Sequence, residues 1–160
     1  MPRLSKKNPA YRTKDQLVED VTFVLNSPLS HGTKYVVCKQ AASAWTEHEG
    51  KYKGCGLWSK KAFEQYTATA SVKNLRHEHA VPKKVVLATL LRLQKPTKAD
   101  VALWFEFLVA VVVTVKEDRQ LNSRFESSMP SEFYDPASPS ALDTLLRYKQ
   151  CGIEVLEVKW

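Results

Sequence analysis

The chain has few of the residues that form disulfide frameworks or glycine-rich loops, with 3 Cys and 5 Gly among 160 residues. The cysteines lie far apart, are odd in number and include no CxxC pair, so a reducing, cytoplasmic compartment is expected. The sequence contains no GxGxxG segment, no phosphate-binding glycine loop and no serine-centred elbow. The nucleotide-binding and hydrolase classes that depend on those motifs are therefore disfavoured.

Long hydrophobic runs are also missing. The longest apolar stretch, residues 101–115, is interrupted by Glu106 and is shorter than the roughly 20 residues that span a bilayer. The first residues carry charge but no apolar core, so we expect neither a secretory signal nor a membrane partner.

Positive charge is present in excess and is unevenly distributed. The formal net charge is +7; residues 1–98 hold 18 Lys and Arg against 7 Asp and Glu, whereas residues 99–160 hold 6 against 10. A polyanion such as DNA or RNA is the natural partner of such a field, because phosphate contacts release counterions. An acidic protein partner, or a solvated basic surface without a partner, would explain the same composition.

Hydrophobic periodicity and capping residues predict an α+β fold, mostly helical with a small β-sheet. Residues 1–12 are expected to form a flexible basic arm, and residues 13–160 a single globular domain. Capping residues Thr13, Ser59, Thr97 and Thr114 precede predicted helices. Residues 35–38 are compatible with a strand or with the start of a helix. Further helices are expected at 83–94 and 142–150, and strands at 109–115 and 153–158. Residues 122–140 are expected to form a long surface loop.

His77 and His79, two of the four histidines, flank Glu78 shortly before Pro82. In an extended segment, the two imidazoles would project to one side and the carboxylate to the other. Such a pair is suited to binding a divalent metal ion (Mg²⁺, Mn²⁺ or Zn²⁺) or to taking a proton. The side chains available as a third ligand have no diagnostic spacing: Glu47, His48, Glu49, Cys55, Glu117 and Asp118.

The segment Glu78-His79-Ala80-Val81-Pro82 resembles the acidic-His-x-hydrophobic-Pro element that opens the His-Me finger (HNH-type) nuclease motif. The resemblance covers about five residues. It implies that His79 is the general base, that Glu78 helps to hold one divalent metal ion, and that the motif is a β-hairpin followed by a helix. It assigns no role to His77. The glycine- or asparagine-rich loop and the last metal-binding histidine of that family have no counterpart here.

Cations cluster around this segment and in the loop that precedes it. The predicted nucleic-acid-binding residues are Lys73, Arg76, Lys83, Lys84, Lys51 and Lys53. Trp45, Tyr52 and Trp58 flank the basic loop at residues 47–56, and aromatic side chains beside cations can stack on bases. Core packing is the alternative role for these rings.

The sequence therefore predicts a nucleic-acid-directed protein of phage or mobile-element type. One hypothesis is a metal-dependent nuclease in which His79 and His77 are catalytic, while Glu78 and His77 bind the metal ion. A second is a non-catalytic basic binding or inhibitor module that acts on a nucleic-acid-bound complex or a protein partner. A third is a structural zinc site built from the two imidazoles.

Overall fold

Two helices joined by a short loop begin the part of the chain that the computed structural model describes, residues 12–160. Helix α1 covers Lys14–Asn26 and helix α2 covers His31–Thr46. Leu17, Val21 and Leu25 recur on one side of α1 and are buried there, as the apolar stripe predicts. Residues 1–11, which include nearly all of the predicted basic arm, lie outside the described residues.

The rest of the chain alternates between short strands and helices. The strands are β1 (Leu57–Ser59), β2 (Leu75–His79), β3 (Ala110–Thr114) and β4 (Val155–Glu157). The helices are α3 (Lys60–Thr69), α4 (Lys83–Leu90), α5 (Lys98–Phe105), α6 (Val115–Phe125) and α7 (Leu146–Gln150), with a 3₁₀-helix at Ser131–Tyr134. The prediction of an α+β fold, mostly helical with a small sheet, is confirmed.

The four strands form one mixed sheet in the order β2-β3-β1-β4. Strand β3 pairs parallel with β1 and antiparallel with β2, while β4 pairs antiparallel with β1. Strand β3 is therefore an interior strand, and four of its five residues are buried, as its mostly β-branched sequence favours. Strand β2, which carries the histidine pair, lies at the edge of the sheet.

Each face of the sheet packs against its own apolar cluster. Ala110 and Val112 of β3 join Trp58, Ala62 and Leu75 on the side of α3, which we call the α3 face. Val111 and Val113 join a second cluster on the side of α6 and α7, which we call the α6 face: Leu121, Tyr148, Cys151 and Ile153. A third and larger cluster joins helices α1, α2, α4 and α5.

The predicted helix starts are confirmed by capping geometry. Thr13, Thr97 and Thr114 each form a capping box with the residue three positions later, and the Ser59 hydroxyl accepts a hydrogen bond from the Ala62 amide. Local sequence is sufficient here because each cap joins backbone and side chain within one turn.

One alternative left open by the sequence is resolved, and four features differ from the sequence-based expectation. Residues 35–38 are helical as part of α2, which resolves the alternative left open. Helix α4 ends at Leu90, four residues before the predicted end, and α7 begins at Leu146 rather than at residue 142. Residues 122–140 are not simply a surface loop: α6 continues to Phe125, and the 3₁₀-helix buries Phe133. Strand β1 was not predicted.

No helix among the described residues is long and apolar enough to cross a membrane.

Candidate functional site

The pairing of β2 with β3 determines which way each side chain of the histidine segment points. His77 lies opposite Val112 and His79 opposite Ala110, whereas Glu78 lies opposite Val111. Paired residues of antiparallel strands project from the same face of the sheet. His77 and His79 therefore lie on the α3 face and Glu78 on the α6 face, so the alternation predicted from the extended sequence is confirmed.

The two imidazoles are close neighbours that are largely removed from solvent. Their ring centroids lie 6.3 Å apart, and both Nε2 atoms are buried without a hydrogen-bond partner among the described residues. Burial lowers the pKa of His77 to about 4 and that of His79 to about 3, from an ordinary value of 6.5. Both rings are therefore neutral near pH 7.

Lys51 and Lys83 lie beside this pair, and Lys39 lies close to Lys83. The charge of Lys83 lowers the pKa of both imidazoles, and Lys51 acts in the same direction. Burial lowers the pKa of Lys83 itself, with further lowering by the charges of Lys39 and Lys51. We refer to His77, His79, Lys39, Lys51 and Lys83 as the imidazole–lysine cluster.

Helix α2 with the loop that follows it, strand β2 and helix α4 build this cluster. Lys83 is the first residue of α4, and its Nζ donates a hydrogen bond of 2.8 Å to the Ser43 hydroxyl of α2. Lys39 lies one helical turn before Ser43 on α2. Lys51 belongs to the loop after α2 and forms an ion pair of 3.2 Å with Glu47. Glu47 is the acidic group whose charge acts on His77, and it raises the pKa of that ring.

Glu78 forms hydrogen bonds with other residues on the α6 face. Its Oε1 atom accepts a hydrogen bond of 3.2 Å from Nη1 of Arg147, whose side chain is fully buried, and its Oε2 atom accepts one of 2.5 Å from the His79 amide. Burial raises the pKa of the Glu78 carboxyl, although Arg147 opposes that rise. Glu78 therefore does not share a face with His77, the residue proposed to bind metal with it.

The other side chains considered as third ligands are engaged elsewhere or lie apart from the pair. Glu117 accepts a hydrogen bond of 2.6 Å from Ser59, and the Cys55 thiol donates to backbone carbonyls of Leu57 and Ala110. The charge of Asp118 raises the pKa of Glu78 and does not affect that of either imidazole. Within residues 12–160, no group of three or more His, Cys, Asp or Glu side chains is arranged to hold a metal ion.

The six predicted nucleic-acid-binding cations do not form one patch. Lys51 and Lys83 belong to the imidazole–lysine cluster, and Lys53 is exposed in the loop beside it. Arg76 lies opposite Val113 and so belongs to the α6 face, while Lys73 is exposed in the turn before β2. Lys84 lines a separate cleft beside α4.

The aromatic residues of the basic loop have divided roles. Trp58 is completely buried, and Trp45 packs edge-on against Phe105 at 5.2 Å between ring centroids, so both are core residues. Tyr52 is half-buried and lines a cleft of about 440 Å³ together with Lys51, Lys53 and Tyr66. Of the three rings, only Tyr52 retains a position suited to stacking.

Sequence reasoning did not identify Lys39, Ser43 or Arg147 as members of these sites. A signal for the first two exists, since Lys39, Ser43 and Glu47 recur every four residues and so lie along one side of a helix. That signal becomes readable only after residues 35–38 are assigned to α2. Nothing in the local sequence distinguishes the buried Arg147 from the exposed Lys149.

These observations define an α+β protein with an electropositive cluster at the edge strand of a mixed sheet. The chain matches no protein-family model, and neither the curated proteins nor the solved structures yield a match.

Proposed function

We propose that the protein binds nucleic acid through the imidazole–lysine cluster and does not cut it. The observation that carries this proposal is the grouping of Lys39 and Lys51 around Lys83, whose pKa is lowered by burial and by both of these charges. The two carboxylates that act on Lys83 are already paired, Glu47 with Lys51 and Glu78 with Arg147. No ion pair among the described residues includes Lys39 or Lys83. Lys39 is exposed, and the Lys83 ammonium, which donates one hydrogen bond to Ser43, has further N–H donors for phosphate. Phosphate contacts of this kind supply most of the affinity in non-specific nucleic-acid binding.

The surroundings of the histidines favour binding over hydrolysis. A general base works best with a pKa near the operating pH, and the lowered pKa values of His77 and His79 make both rings weak bases. The resemblance to the His-Me finger motif implies that the acidic residue before His79 helps to hold the metal ion. Glu78, the residue in that position of the motif, points to the other face and contacts Arg147.

Salt dependence of binding tests the proposal. Fluorescence anisotropy with labelled DNA and RNA oligonucleotides should show that affinity falls steeply between 50 and 200 mM salt, by roughly tenfold or more. The double variant Lys39→Gln/Lys83→Gln should weaken binding and reduce the slope of log K against log salt by about 1 for each lost phosphate contact. Lys116→Gln, which removes an exposed charge on α6, is the matched control and should leave the slope unchanged.

An affinity that does not respond to salt, or a slope that falls equally in Lys116→Gln, would contradict the proposal. Binding to an acidic protein but to neither nucleic acid would instead support the inhibitor hypothesis from the sequence.

A cleavage assay separates binding from catalysis. The protein is incubated with plasmid DNA and with RNA in the presence of Mg²⁺, Mn²⁺ or Zn²⁺, and intact substrate is expected throughout. Cleavage that is lost in a folded His79→Ala variant would restore the nuclease hypothesis.

Elemental analysis of the purified protein should find no stoichiometric zinc. About one zinc per chain, with a lower melting temperature after chelation, would favour the structural metal site.

A further inference from the structure

A cleft of about 370 Å³ lies between α4 and the segment that joins α6 to the 3₁₀-helix. This volume falls within the range of small-ligand sites, roughly 300–1,000 Å³. Lys84 and Arg92 approach the cleft from the α4 side, while Phe125, Ser128 and Tyr134 line the opposite side. None of these residues belongs to the imidazole–lysine cluster.

The cleft contains two cations that have no acidic partner among the described residues. It also contains one exposed aromatic ring. Lys84 and Arg92 are both exposed, and neither takes part in an ion pair among the described residues. Tyr134 is 55% exposed although it is an aromatic residue. Glu126 contributes the one carboxylate of the lining, so the cations outnumber it.

Tyr134 is held in place before any ligand arrives. Its ring packs edge-on against Phe133 at 5.2 Å between centroids, and Phe133 packs in turn against Phe107. Phe133 is buried, and its carbonyl accepts a hydrogen bond of 3.0 Å from the Leu142 amide. Because the supporting ring of Phe133 is fixed, Tyr134 loses little mobility when a planar group stacks on it. This lowers the entropic cost of binding.

We infer that this cleft binds one unpaired nucleotide, with the base against Tyr134 and its phosphate beside Lys84 and Arg92. Base–aromatic stacking beside a cationic groove is the usual mode of single-strand recognition. In a duplex the bases are already stacked inside the helix and cannot enter such a cleft. This inference rests on the proposed function and narrows it from nucleic acid in general to single strands.

The start of α4 connects this cleft with the imidazole–lysine cluster. Lys83 reaches Ser43 on one side of the helix, while its neighbour Lys84 lines the cleft on the other side. A single strand crossing the beginning of α4 would therefore meet a cation of each site in succession.

Competition between strands tests the inference. A labelled oligo-dT and oligo-U of 10 nucleotides should each bind more tightly than a 10-base-pair duplex at equal salt. Tyr134→Ala should weaken single-strand binding by about 5- to 100-fold, the range expected for one lost stacking contact, and should leave duplex binding unchanged. Phe23→Ala, which removes another exposed ring from α1, is the matched control.

The charged groups give an independent measurement. Arg92→Gln should weaken single-strand binding more than Arg119→Gln, which removes the same charge from α6 outside the cleft. Glu126→Gln should strengthen it. In NMR titrations with uridine monophosphate, amide shifts should concentrate at residues 125–128 and 134.

The possible results separate the two proposals. Equal affinity for duplex and single strands, or equal effects of Tyr134→Ala and Phe23→Ala, would overturn the cleft assignment and leave the phosphate contacts of the cluster standing. Loss of binding in Tyr134→Ala together with no effect of Lys39→Gln/Lys83→Gln would support the cleft and overturn the cluster. Absence of binding to every oligonucleotide would overturn both.

Discussion

Arg147 joins the histidine segment to the chain that follows α6. Its guanidinium donates to the Glu78 carboxylate and to the His79 carbonyl on β2, and a third hydrogen bond reaches the carbonyl of Glu126, which lines the cleft beside α4. The side chain is fully buried, and its Nε atom has no hydrogen-bond partner among the described residues. Arg147 therefore bridges the edge strand β2 and the segment after α6 that lines the cleft.

Arg147→Met tests that role. The substitution keeps an apolar side chain of similar length but leaves the largely buried Glu78 carboxylate without its counterion. We expect the free energy of unfolding to fall by about 3–5 kcal/mol at pH 7, the usual cost of breaking a buried pair from one side. Urea denaturation followed by circular dichroism measures it.

Two further variants make this prediction specific. Arg147→Met combined with Glu78→Gln should recover part of the lost stability, because no unpaired charge remains. Lys149→Met is the control: Lys149 forms an exposed pair with Asp143, so its loss should cost less than about 1 kcal/mol. A cost for Arg147→Met as small as that of the control would show that the buried pair contributes little.

Among the elements, the junction of β1 with α3 and that of β3 with α6 depend on one shared set of hydrogen bonds. The Ser59 hydroxyl accepts from the Ala62 amide at the start of α3 and donates to Glu117 of α6. Glu117 also accepts from the amide and hydroxyl of Thr114, which caps α6. Two helix caps that are far apart in sequence are thereby joined across the parallel pair β1–β3.

Ser59→Ala and Ser30→Ala form a matched pair of cap substitutions. Ser30 caps α2 at an exposed position, so its loss should cost about 1 kcal/mol or less. Ser59 is completely buried and also satisfies Glu117, so its loss should cost about 2–3 kcal/mol. Thermal unfolding of both variants measures the difference, and equal costs would mean that the Ser59–Glu117 contact adds no stability.

Element boundaries show where local sequence stops being informative. Capping boxes predicted the starts of α1, α5 and α6 because their hydrogen bonds join residues three positions apart. The end of α4 carries no comparable local signal, since the apolar residues Leu91 and Leu93 continue beyond it. Strand β1 is only three residues long and owes its existence to pairing with β3 and β4.

At the scale of the whole molecule, the two neutral imidazoles make folding depend on pH. Burial lowers both pKa values, so the folded chain binds these protons less readily than the unfolded chain, whose histidines titrate near 6.5. The stability that the neutral rings contribute is complete above pH 6.5. It is lost as the pH falls towards 4 for His77 and towards 3 for His79.

The loss of stability at acid pH should therefore depend on His77 and His79. Between pH 6.5 and 4.5, the free energy of unfolding should fall by up to about 1.4 kcal/mol per pH unit for each histidine. The raised pKa of Glu78 acts in the opposite sense and reduces the net slope.

A variant with both His77→Gln and His79→Gln should flatten the pH profile. His31→Gln, at an exposed position on α2, should leave it unchanged. An unaltered profile in the double variant would mean that the rings titrate normally in the folded protein.

The sequence alone determined the features that depend on neighbours within a turn or a strand. Helix caps, the apolar stripe of α1 and the opposite directions of Glu78 and His79 all follow from fixed backbone periods of 3.6 and 2 residues. The fold class followed from the same patterns.

The residues that cover each side chain depend on how whole elements pack. The charge of Lys83 acts on His77 and its Nζ reaches Ser43 because α2 and α4 pack beside the edge strand, and Glu78 meets Arg147 because α7 lies across the other face. These contacts join residues about 40 to 70 positions apart. They depend on the packing of whole elements, and no local period of the chain encodes that packing.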